Sequence, residues 1–320
     1  MRAIILAAGF GTRLGALGEQ RPKPMFPVCD IPLVRYALSL LSGHGVTEIC
    51  VNLHHHGDLI EKELGDEVIY SREEVILGTG GGLQRMGDWL TRGGRDSFFV
   101  VNGKLLVDAD LHLMRARHER SDAAATMLLY ETPDAARWGA IDVGDDGRVT
   151  SIIGQGRPGA HSCMFTGVHI FSPRLLQRLP PTGESDSIRQ AYLPALAAGE
   201  RIEGVLLDGY FHEHSTPARY LEGNWNALRG RARLRHPPGP FTGIDGAVDG
   251  EIVHPVRISA GAIVEAGARV GPDVVVGAGS RVHAGARLER VVIWPGSHVS
   301  SELSDAIVTP KGVFQGGENG

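Results

Sequence analysis

A glycine-rich segment near the N-terminus carries the residues best suited to hold phosphate groups. It follows the apolar run Ala3–Leu6 and contains Gly9 and Gly11, with Arg13 and Lys23 further along. Glycines allow the backbone to approach an anion closely, so that its N–H groups donate to phosphate oxygens. A guanidinium adds a planar pair of donors and an ammonium adds a point charge. The combination predicts a loop that binds phosphate.

Three other interpretations of this segment fit it less well. A Rossmann dinucleotide loop needs Gly-x-Gly-x-x-Gly, and the residue at its third glycine position is Leu14. A Walker loop needs Gly-Lys-Ser/Thr, which the sequence lacks. A plain glycine turn with two solvated cations stays open as the structural alternative, and we favour phosphate binding over it.

Apolar and amphipathic segments alternate before and after this loop. The predicted strands are residues 3–6, 48–52 and 98–102, and the predicted helices are residues 32–41 and 59–64. Such alternation is typical of an α/β fold with a doubly wound, Rossmann-like, mostly parallel sheet. These sheets bind ligands at the carboxyl ends of their strands, where the glycine-rich loop and Asn102-Gly103 both fall. We therefore expect a ligand-binding edge within a first domain of residues 1–235.

A hexapeptide repeat follows a proline-rich linker at residues 236–240. Its aliphatic residues recur every six positions, at Ile252, Ile258, Val264, Val270, Val276, Val282 and Leu288. A second position of the frame holds Gly261, Gly267, Gly279 and Gly285, with Asp273 as the exception. This period is typical of a solenoid with short strands and glycine corners. The repeat predicts a left-handed parallel β-helix over residues 241–310, and a flexible glycine-rich tail is the disfavoured alternative.

Charge and composition exclude several classes of protein. The net charge is -5 and no block of Lys or Arg occurs, so we expect no nucleic-acid partner. No apolar run reaches the roughly 18 residues of a membrane span, and the first one is too short for a signal peptide. Cys29, Cys50 and Cys163 lie far apart, which is typical of reduced thiols. We expect a cytoplasmic protein that contacts no membrane.

The glycine-rich segment resembles the signature of the sugar nucleotidyltransferases, also called nucleoside-diphosphate-sugar pyrophosphorylases. In that family Gly-x-Gly-Thr-Arg-Leu precedes Pro-Lys-Pro, as residues 9–14 precede residues 22–24 here. The similarity extends over essentially the whole first domain, through residues 77–82, 101–103, 138–140, 165–168 and 209–217. The chain is most similar to the mannose-1-phosphate guanylyltransferase-like and N-acetylmuramate-1-phosphate uridylyltransferase-like branch. A C-terminal hexapeptide β-helix is common in the same family.

The resemblance implies an enzyme that joins a sugar-1-phosphate to a nucleoside triphosphate, with GTP favoured, and releases pyrophosphate. Such chemistry depends on positioning and charge neutralisation. By this resemblance Arg13 holds the β- and γ-phosphates, and Lys23 neutralises the α-phosphate and the attacking phosphate. The implied nucleotide-binding residues are Leu6, Ala8, Gly9, Gly11, Thr12, Gly80, Gly81, Asn102 and Gly103. The implied sugar-phosphate residues are Gly139, Arg157, Thr166 and Gly167.

The metal-binding positions of the family are altered in this chain. Relatives hold Mg²⁺ between two aspartates, one in Asn-Gly-Asp and one before Gly-Thr-Pro. The first position is Lys104 here, and the second aligns with Glu213. A glutamate binds divalent cations, whereas an ammonium has no lone pair to offer and repels them. Mg²⁺ is thus the cofactor that the family implies and that Lys104 calls into question.

Three hypotheses for Lys104 stay open at this point. In the first, its ammonium replaces the cation, pairs with Glu213 and neutralises phosphates as a catalytic group. In the second, the chain binds nucleotide or sugar as a regulatory homologue without turnover. In the third, Lys104 is a surface residue and Asp108 or Asp110 holds the metal. We favour a transferase over a pure binding protein, because the rest of the segment is intact.

The histidines and the hexapeptide repeat each suggest another function that we disfavour. We expect the run at residues 54–56 to pack in a loop, and His212 and His214 to lie on one strand face with Glu213 on the other. An acyltransferase is the third function class, since hexapeptide solenoids often carry that activity. His283 lies within the repeat itself and the run is short, so we disfavour it. We expect the solenoid to cover the first domain or to build a homo-oligomer.

Overall fold

Strands and helices alternate through the first part of the chain. The computed structural model describes residues 1–9 and 11–316, without the side chains of Thr12 and Arg13. The α-helices of this described part are α1 (Leu33–Gly43), α2 (Gly57–Leu64), α3 (Gly78–Arg85), α4 (Gly87–Leu90), α5 (Leu111–Ser121), α6 (Pro173–Leu176), α7 (Leu193–Ala197) and α8 (Pro217–Leu228). Short 3-10 helices span Thr12–Leu17, Lys23–Met25, Gly65–Glu67 and Ala135–Trp138, and a π-helical turn spans Ile188–Tyr192. None of the described helices is long and apolar enough to cross a bilayer.

The strands before the linker build one large sheet and two short pairings. They are β1 (Ala3–Leu6), β2 (Pro27–Val28), β3 (Ile31–Pro32), β4 (Ile49–Leu53), β5 (Ile69–Arg72), β6 (Phe98–Asn102), β7 (Leu105–Val107), β8 (Ala125–Glu131), β9 (Ile141–Val143), β10 (Val149–Ile152), β11 (Gln155–Gly156), β12 (His161–Phe171), β13 (Ile202–Leu206) and β14 (Phe211–Glu213). The main path of the sheet is β11-β10-β9-β12-β6-β1-β4-β5, with β8 joining β12 to β13. The predicted strands and helices are confirmed to within two residues at each boundary.

The sheet is a mostly parallel, Rossmann-like α/β arrangement, as predicted. Its centre is buried on both faces, since Ala3, Ile4 and Ile5 of β1 are fully buried. Strands β4 and β6 run parallel to β1 on either side, and their registers place Leu6 beside both Asn52 and Asn102. The carboxyl ends of three neighbouring strands therefore lie side by side, where the glycine-rich loop begins.

Short strands stack into a β-helix beyond the linker, and every pairing among them is parallel except that of the last two strands, which is antiparallel. They are β15 (Gly243–Ile244), β16 (Ala247–Val248), β17 (Glu251–Ile252), β18 (Val256–Ile258), β19 (Ile263–Val264), β20 (Arg269–Val270), β21 (Val274–Val276), β22 (Arg281–Val282), β23 (Arg287–Ile293), β24 (His298–Val299), β25 (Glu302–Thr309) and β26 (Gly312–Gln315). All seven repeat aliphatics lie on these strands, and those from Ile258 to Leu288 are buried. The hexapeptide prediction is confirmed.

The corners of the β-helix explain the glycine positions and their exception. Gly261 and Gly267 have positive φ angles of 73° and 83°, where a side chain would be strained. Asp273 takes the same left-handed conformation, at φ 61°. Its carboxylate lies 2.6 Å from the guanidinium of Arg229 at the end of α8. Asp273, the one departure from the glycine pattern, thus forms an ion pair with the first part of the chain.

The β-helix and the Rossmann-like part share a hydrophobic cluster. Phe26 and Leu33 pack there with Tyr220 of α8 and with Val292 and Trp294 of the β-helix. All five of these side chains are fully buried. The division into residues 1–235 and 241–310 stays a prediction, since this core belongs to both regions.

His118 of α5 provides a test of the packing between α5 and the sheet. Its ring nitrogens lie 2.9 Å from the hydroxyl oxygens of Thr126 on β8 and of Ser97. Burial, followed by the charge of Arg174, lowers the pKa of His118 to about 4. An unfolded chain takes up this proton near pH 6.5, whereas the folded chain resists protonation until about pH 4. The free energy of unfolding should therefore fall as pH drops through this window.

We expect the contribution of His118 to be about 3 kcal/mol across that window. His118→Gln, which cannot titrate, should lower stability at pH 7 but flatten the profile between pH 6.5 and pH 4. Urea denaturation at several pH values measures both effects. Parallel profiles for the two proteins would contradict a neutral, buried His118.

Candidate active site

A cavity of about 260 Å³ opens at the carboxyl ends of the central strands. The glycine-rich loop, the turn at Lys23, the start of α3 and the turn after β6 form its walls. The lining residues are Leu6, Ala7, Ala8, Gly9, Gly11, Lys23, Pro24, Asn52, Ile76, Gly78, Thr79, Asn102, Lys104 and Ser215. Apolar side chains, glycines and two cations thus surround the cavity, which suits a nucleotide.

Seven of the predicted site residues line this cavity. They are Leu6, Ala8, Gly9, Gly11, Lys23, Asn102 and Lys104. Gly103 lies directly behind the wall, where its N–H donates to the Leu6 carbonyl at 2.9 Å. The side chains of Thr12 and Arg13 fall outside the described part of the chain, so their predicted roles stay predictions.

Lys23 and Glu213 form a buried ion pair at the cavity wall. The Lys23 Nζ lies 2.9 Å from the Glu213 Oε1, and both side chains are less than a tenth exposed. Pro22 precedes the 3-10 turn that carries Lys23. Glu213 ends β14, where Arg219 of α8 donates to its carbonyl oxygen at 2.9 Å. Two separate parts of the chain therefore bring a cation and an anion together out of water.

Lys104 stands beside this pair, at the turn between β6 and β7. Pairing of β14 with β7 places Glu213 opposite Leu105, the neighbour of Lys104. Burial raises the pKa of the Glu213 carboxyl, but the charge of Lys23, the Ser215 hydroxyl and the charge of Lys104 together lower it below the usual value. Glu213 is therefore ionised at neutral pH between two ammonium groups.

These residues do not fit a magnesium site built from two carboxylates. Lys23 already engages the single carboxylate, and Lys104 adds a second positive charge where the other carboxylate would be needed. Within residues 1–9 and 11–316, His, Cys, Asp and Glu form no group of three suited to a metal. Lys23 holds the Oε1 of Glu213, and the expectation that Glu213 binds Mg²⁺ stays a prediction.

The structure disfavours the hypothesis that Asp108 or Asp110 holds the metal. The Asp108 carboxylate lies 3.1 Å from the guanidinium of Arg235 and accepts from the backbone of the same residue at 2.7 Å. The Asp110 carboxylate caps α5 by accepting from the Leu113 N–H at 2.9 Å. Asp108 thus holds the segment at Arg235, Asp110 caps α5, and neither residue lines the cavity.

Asn52 and Glu73 organise the cavity floor, although neither was among the predicted site residues. The Asn52 Oδ1 accepts from the Ala7 N–H at 2.7 Å, and its Nδ2 donates to Glu73 at 2.8 Å. The second oxygen of Glu73 accepts from the Leu77 N–H at 3.0 Å, just before α3. This network ties three walls of the cavity together. Asn52 ends a predicted strand at the same edge as Asn102, and that placement could have identified it.

The implied nucleotide-binding residues Gly80 and Gly81 pack against a loop. The Gly80 N–H donates to the Ser185 carbonyl at 2.8 Å, and a Cβ on Gly81 would lie 2.5 Å from the Gly183 oxygen. These glycines allow α3 to pack closely on the loop at residues 183–187. Gly78 and Thr79, the two residues before them, form the cavity wall instead. The structure thus gives Gly80 and Gly81 a packing role, and their contact with the nucleotide stays a prediction.

The predicted sugar-phosphate residues are spread along the sheet. The Thr166 hydroxyl donates to the Leu128 carbonyl at 2.8 Å, so it is engaged within β12 and β8. Gly139, at φ 82°, ends the helix at Ala135–Trp138. Arg157 is exposed next to β11, at the edge of the sheet. Strands β10, β9 and β12 lie between β11 and β6, the strand that leads to the cavity. None of the three lines the cavity, and the position of Arg157 disfavours its predicted phosphate contact.

Gly167 supports the cavity from behind. It has a φ of +86°, and a Cβ there would lie 2.2 Å from the Asn102 Nδ2. We expect Gly167→Ala to displace Asn102, weaken triphosphate binding about tenfold and cost about 1–3 kcal/mol of stability. Titration calorimetry and urea denaturation measure the two effects.

Gly199→Ala is the matched control for this substitution. Gly199 also has a positive φ, of +75°, but a Cβ there would meet nothing within 4 Å. It should therefore show the backbone strain alone and leave affinity unchanged. Equal affinities for all three proteins would contradict the supporting role of Gly167.

The histidines near the site pack against each other, as the strand alternation predicts. The rings of His212 and His214 lie 4.9 Å apart, on the face of β14 and its extension opposite Glu213. Burial lowers the pKa of both groups, so they are neutral. His54 lies in the loop after β4 and approaches the Glu73 carbonyl at 2.8 Å. These residues stabilise the walls of the cavity.

Comparisons with known proteins agree with this geometry. The model of the family described as "Nucleotidyl transferase" matches residues 2–228. The chain is 28% identical over 306 residues to the mannose-1-phosphate guanylyltransferase of Mycobacterium tuberculosis, covering 93% of this chain and 81% of the relative. It is 27% identical to the UTP--glucose-1-phosphate uridylyltransferase of Synechocystis, covering 96% and 87%.

A solved structure shares the fold. HddC from Yersinia pseudotuberculosis, crystallised in complex with GMP-PN, superposes with a TM-score of 0.57 at 24% identity. The similarity covers 70% of this chain and 97% of the HddC chain. At this level of identity the likeness concerns the arrangement of the strands and helices.

Proposed function

Because this chain belongs to the nucleotidyl transferase family, we propose that it transfers the guanylyl group of GTP to mannose-1-phosphate. An oxygen of the sugar phosphate attacks the α-phosphorus and forms a new P–O bond. The bond from the α-phosphorus to the bridging oxygen breaks, and pyrophosphate leaves with that oxygen. The products are a nucleoside-diphosphate sugar and pyrophosphate, so no oxidant or acyl donor takes part.

The observation that carries the proposal is the presence of two ammonium groups on the wall of a cavity that the glycine-rich loop opens. Lys23 and Lys104 both line it, as do Gly9 and Gly11, which have no side chains of their own. Charge that spreads over phosphate oxygens in the transition state is stabilised by fixed cations in a site shielded from water. We assign Lys23 and Lys104 this role, and the family resemblance adds Arg13.

The preference for GTP rests on the guanylyltransferases among the relatives. The related uridylyltransferase of Synechocystis makes UTP the main competitor. We would measure pyrophosphate release for GTP, UTP, dTTP, CTP and ATP, each with mannose-1-phosphate and glucose-1-phosphate. We expect kcat/KM for GTP with mannose-1-phosphate to exceed that of every other pair of triphosphate and sugar phosphate by at least about tenfold. A different preferred pair would correct the substrates, and no turnover of any pair would refute the transferase.

A binding protein without turnover is the second candidate. The Lys23–Glu213 pair favours it, because the carboxylate that would bind metal is neutralised. Such a protein would bind GTP, seen as a rise in unfolding temperature, and release no pyrophosphate. The homo-oligomer built through the β-helix and the cytoplasmic location stay part of the proposal, and light scattering tests the former.

A further inference from the structure

The segment that carries Lys23 is held from behind by the β-helix. Residues 21–30 run from the cavity wall into the shared hydrophobic cluster, where they meet Trp294 of the β-helix. We infer that the β-helix positions Lys23 for phosphate binding, with Trp294 as the positioning residue. This inference rests on the proposed function for its consequence in catalysis, but its effect on phosphate binding is measured separately.

Trp294 contacts the segment on both sides of Lys23. Its side chain is fully buried. The guanidinium of Arg21 lies over its ring at 4.4 Å, and the ring of Phe26 meets it edge-on at 5.0 Å. Its indole N–H donates to the Tyr220 hydroxyl at 3.0 Å, and that hydroxyl donates in turn to the Pro27 carbonyl. One indole ring therefore fixes residues before and after the lysine.

Two further contacts close the segment. The Arg21 guanidinium donates to the Met25 carbonyl at 3.4 Å, across the turn that carries Lys23. The Asp30 carboxylate accepts from the Ala278 N–H of the β-helix at 3.1 Å. The first bond closes the turn that carries Lys23. The second holds the C-terminal end of residues 21–30 against the β-helix.

The turn at Lys23 has little structure of its own. It is three residues long, and its local backbone bonds run from Met25 to Pro22 at 2.8 Å and from Phe26 to Lys23 at 3.0 Å. A short 3-10 turn of this kind holds its place through neighbouring contacts. If the β-helix shifts, the Lys23 ammonium moves with the turn. Binding of phosphate and docking of the β-helix are therefore linked, and each should strengthen the other.

The test compares full-length wild-type protein with Trp294→Leu and Arg21→Met. Calorimetry with inorganic pyrophosphate and with GTP reports phosphate binding without requiring turnover. We expect both variants to weaken binding of both ligands by about tenfold, because they release the turn without touching the cavity. Trp294→Phe keeps a ring against Phe26 and should recover part of the affinity. The Arg21 variant keeps the test decisive if Trp294→Leu fails to fold.

Leu288→Ala is the matched control. Leu288 is buried in the part of the β-helix core that lies away from the shared cluster. This change should lower the unfolding temperature and leave both affinities within about twofold of wild type. Wild-type affinity in both Arg21→Met and folded Trp294→Leu would overturn the inference, and so would a wild-type protein that binds neither ligand. Binding that responds as expected without any turnover would refute the transferase and leave the positioning role intact.

Discussion

Replacing Lys23 with methionine is expected to lower turnover of GTP and mannose-1-phosphate by about 10²–10³-fold. The ammonium lies at the cavity wall, where it can offset charge on the reacting phosphates. The same change leaves Glu213 buried with its main partner removed, so we expect a loss of about 3–5 kcal/mol in the free energy of unfolding. Pyrophosphate release and urea denaturation measure the two losses.

A double variant separates catalysis from stability at this position. Lys23→Met combined with Glu213→Leu replaces the buried pair with apolar groups, so most of the lost stability should return. Turnover should stay as low as in Lys23→Met alone. Lys62→Met is the matched control, because Lys62 is exposed on α2 away from the cavity. Full turnover in Lys23→Met would contradict the assigned role.

The Lys23→Met protein should also respond differently to pH. In the wild type the pKa of Glu213 is low, so its pairing stabilises the fold above pH 4.5 and this contribution fades as pH falls through the folded pKa. Without Lys23, burial raises that pKa. The variant should then gain stability relative to the wild type as pH falls, because protonation removes the buried charge.

Lys104→Ala is expected to lower turnover by about 10²-fold, since it removes the second fixed cation. Lys104→Arg keeps the charge and should retain more activity than the alanine variant. Lys104→Asp places a second carboxylate beside Glu213, so its residual turnover should rise more steeply with Mg²⁺ concentration than that of the wild type. Steady-state rates over a Mg²⁺ series measure this difference.

The opposite result for Lys104→Asp would carry a clear meaning. If this variant turns over GTP faster than the wild type, Lys104 is an impairing substitution. The chain would then be the binding homologue, with the family's metal site lost through a single residue. Equal Mg²⁺ dependence of the two proteins would show that Lys104 does not stand at the metal position.

Local sequence patterns account for much of the fold. The period-six aliphatics identify the β-helix because each coil repeats one local conformation, and even Asp273 adopts the corner conformation of the glycines it replaces. Strand alternation around β1 is equally local. The edge rule for parallel sheets then places Leu6 and Asn102 at the cavity, where the structure has them.

The remaining parts of the site arise from contacts between distant segments. Lys23 and Glu213 are 190 residues apart, and no sequence pattern records their pairing. The family resemblance implies nucleotide binding by Gly80 and Gly81 of α3. In the structure both glycines pack against the loop at residues 183–187, because close approach to a loop requires the same residue type as close approach to a ligand. Trp294 belongs to no sequence motif, since its role depends on how the β-helix packs against the first part of the chain.

The most direct test is phosphorus NMR of wild-type protein with GTP, mannose-1-phosphate and Mg²⁺. We expect signals of a guanosine-diphosphate sugar and of pyrophosphate that grow in equal amounts, and that grow about 10²–10³-fold more slowly with Lys23→Met. Absence of both products from wild-type protein with every triphosphate tested, together with their appearance in Lys104→Asp, would contradict this expectation.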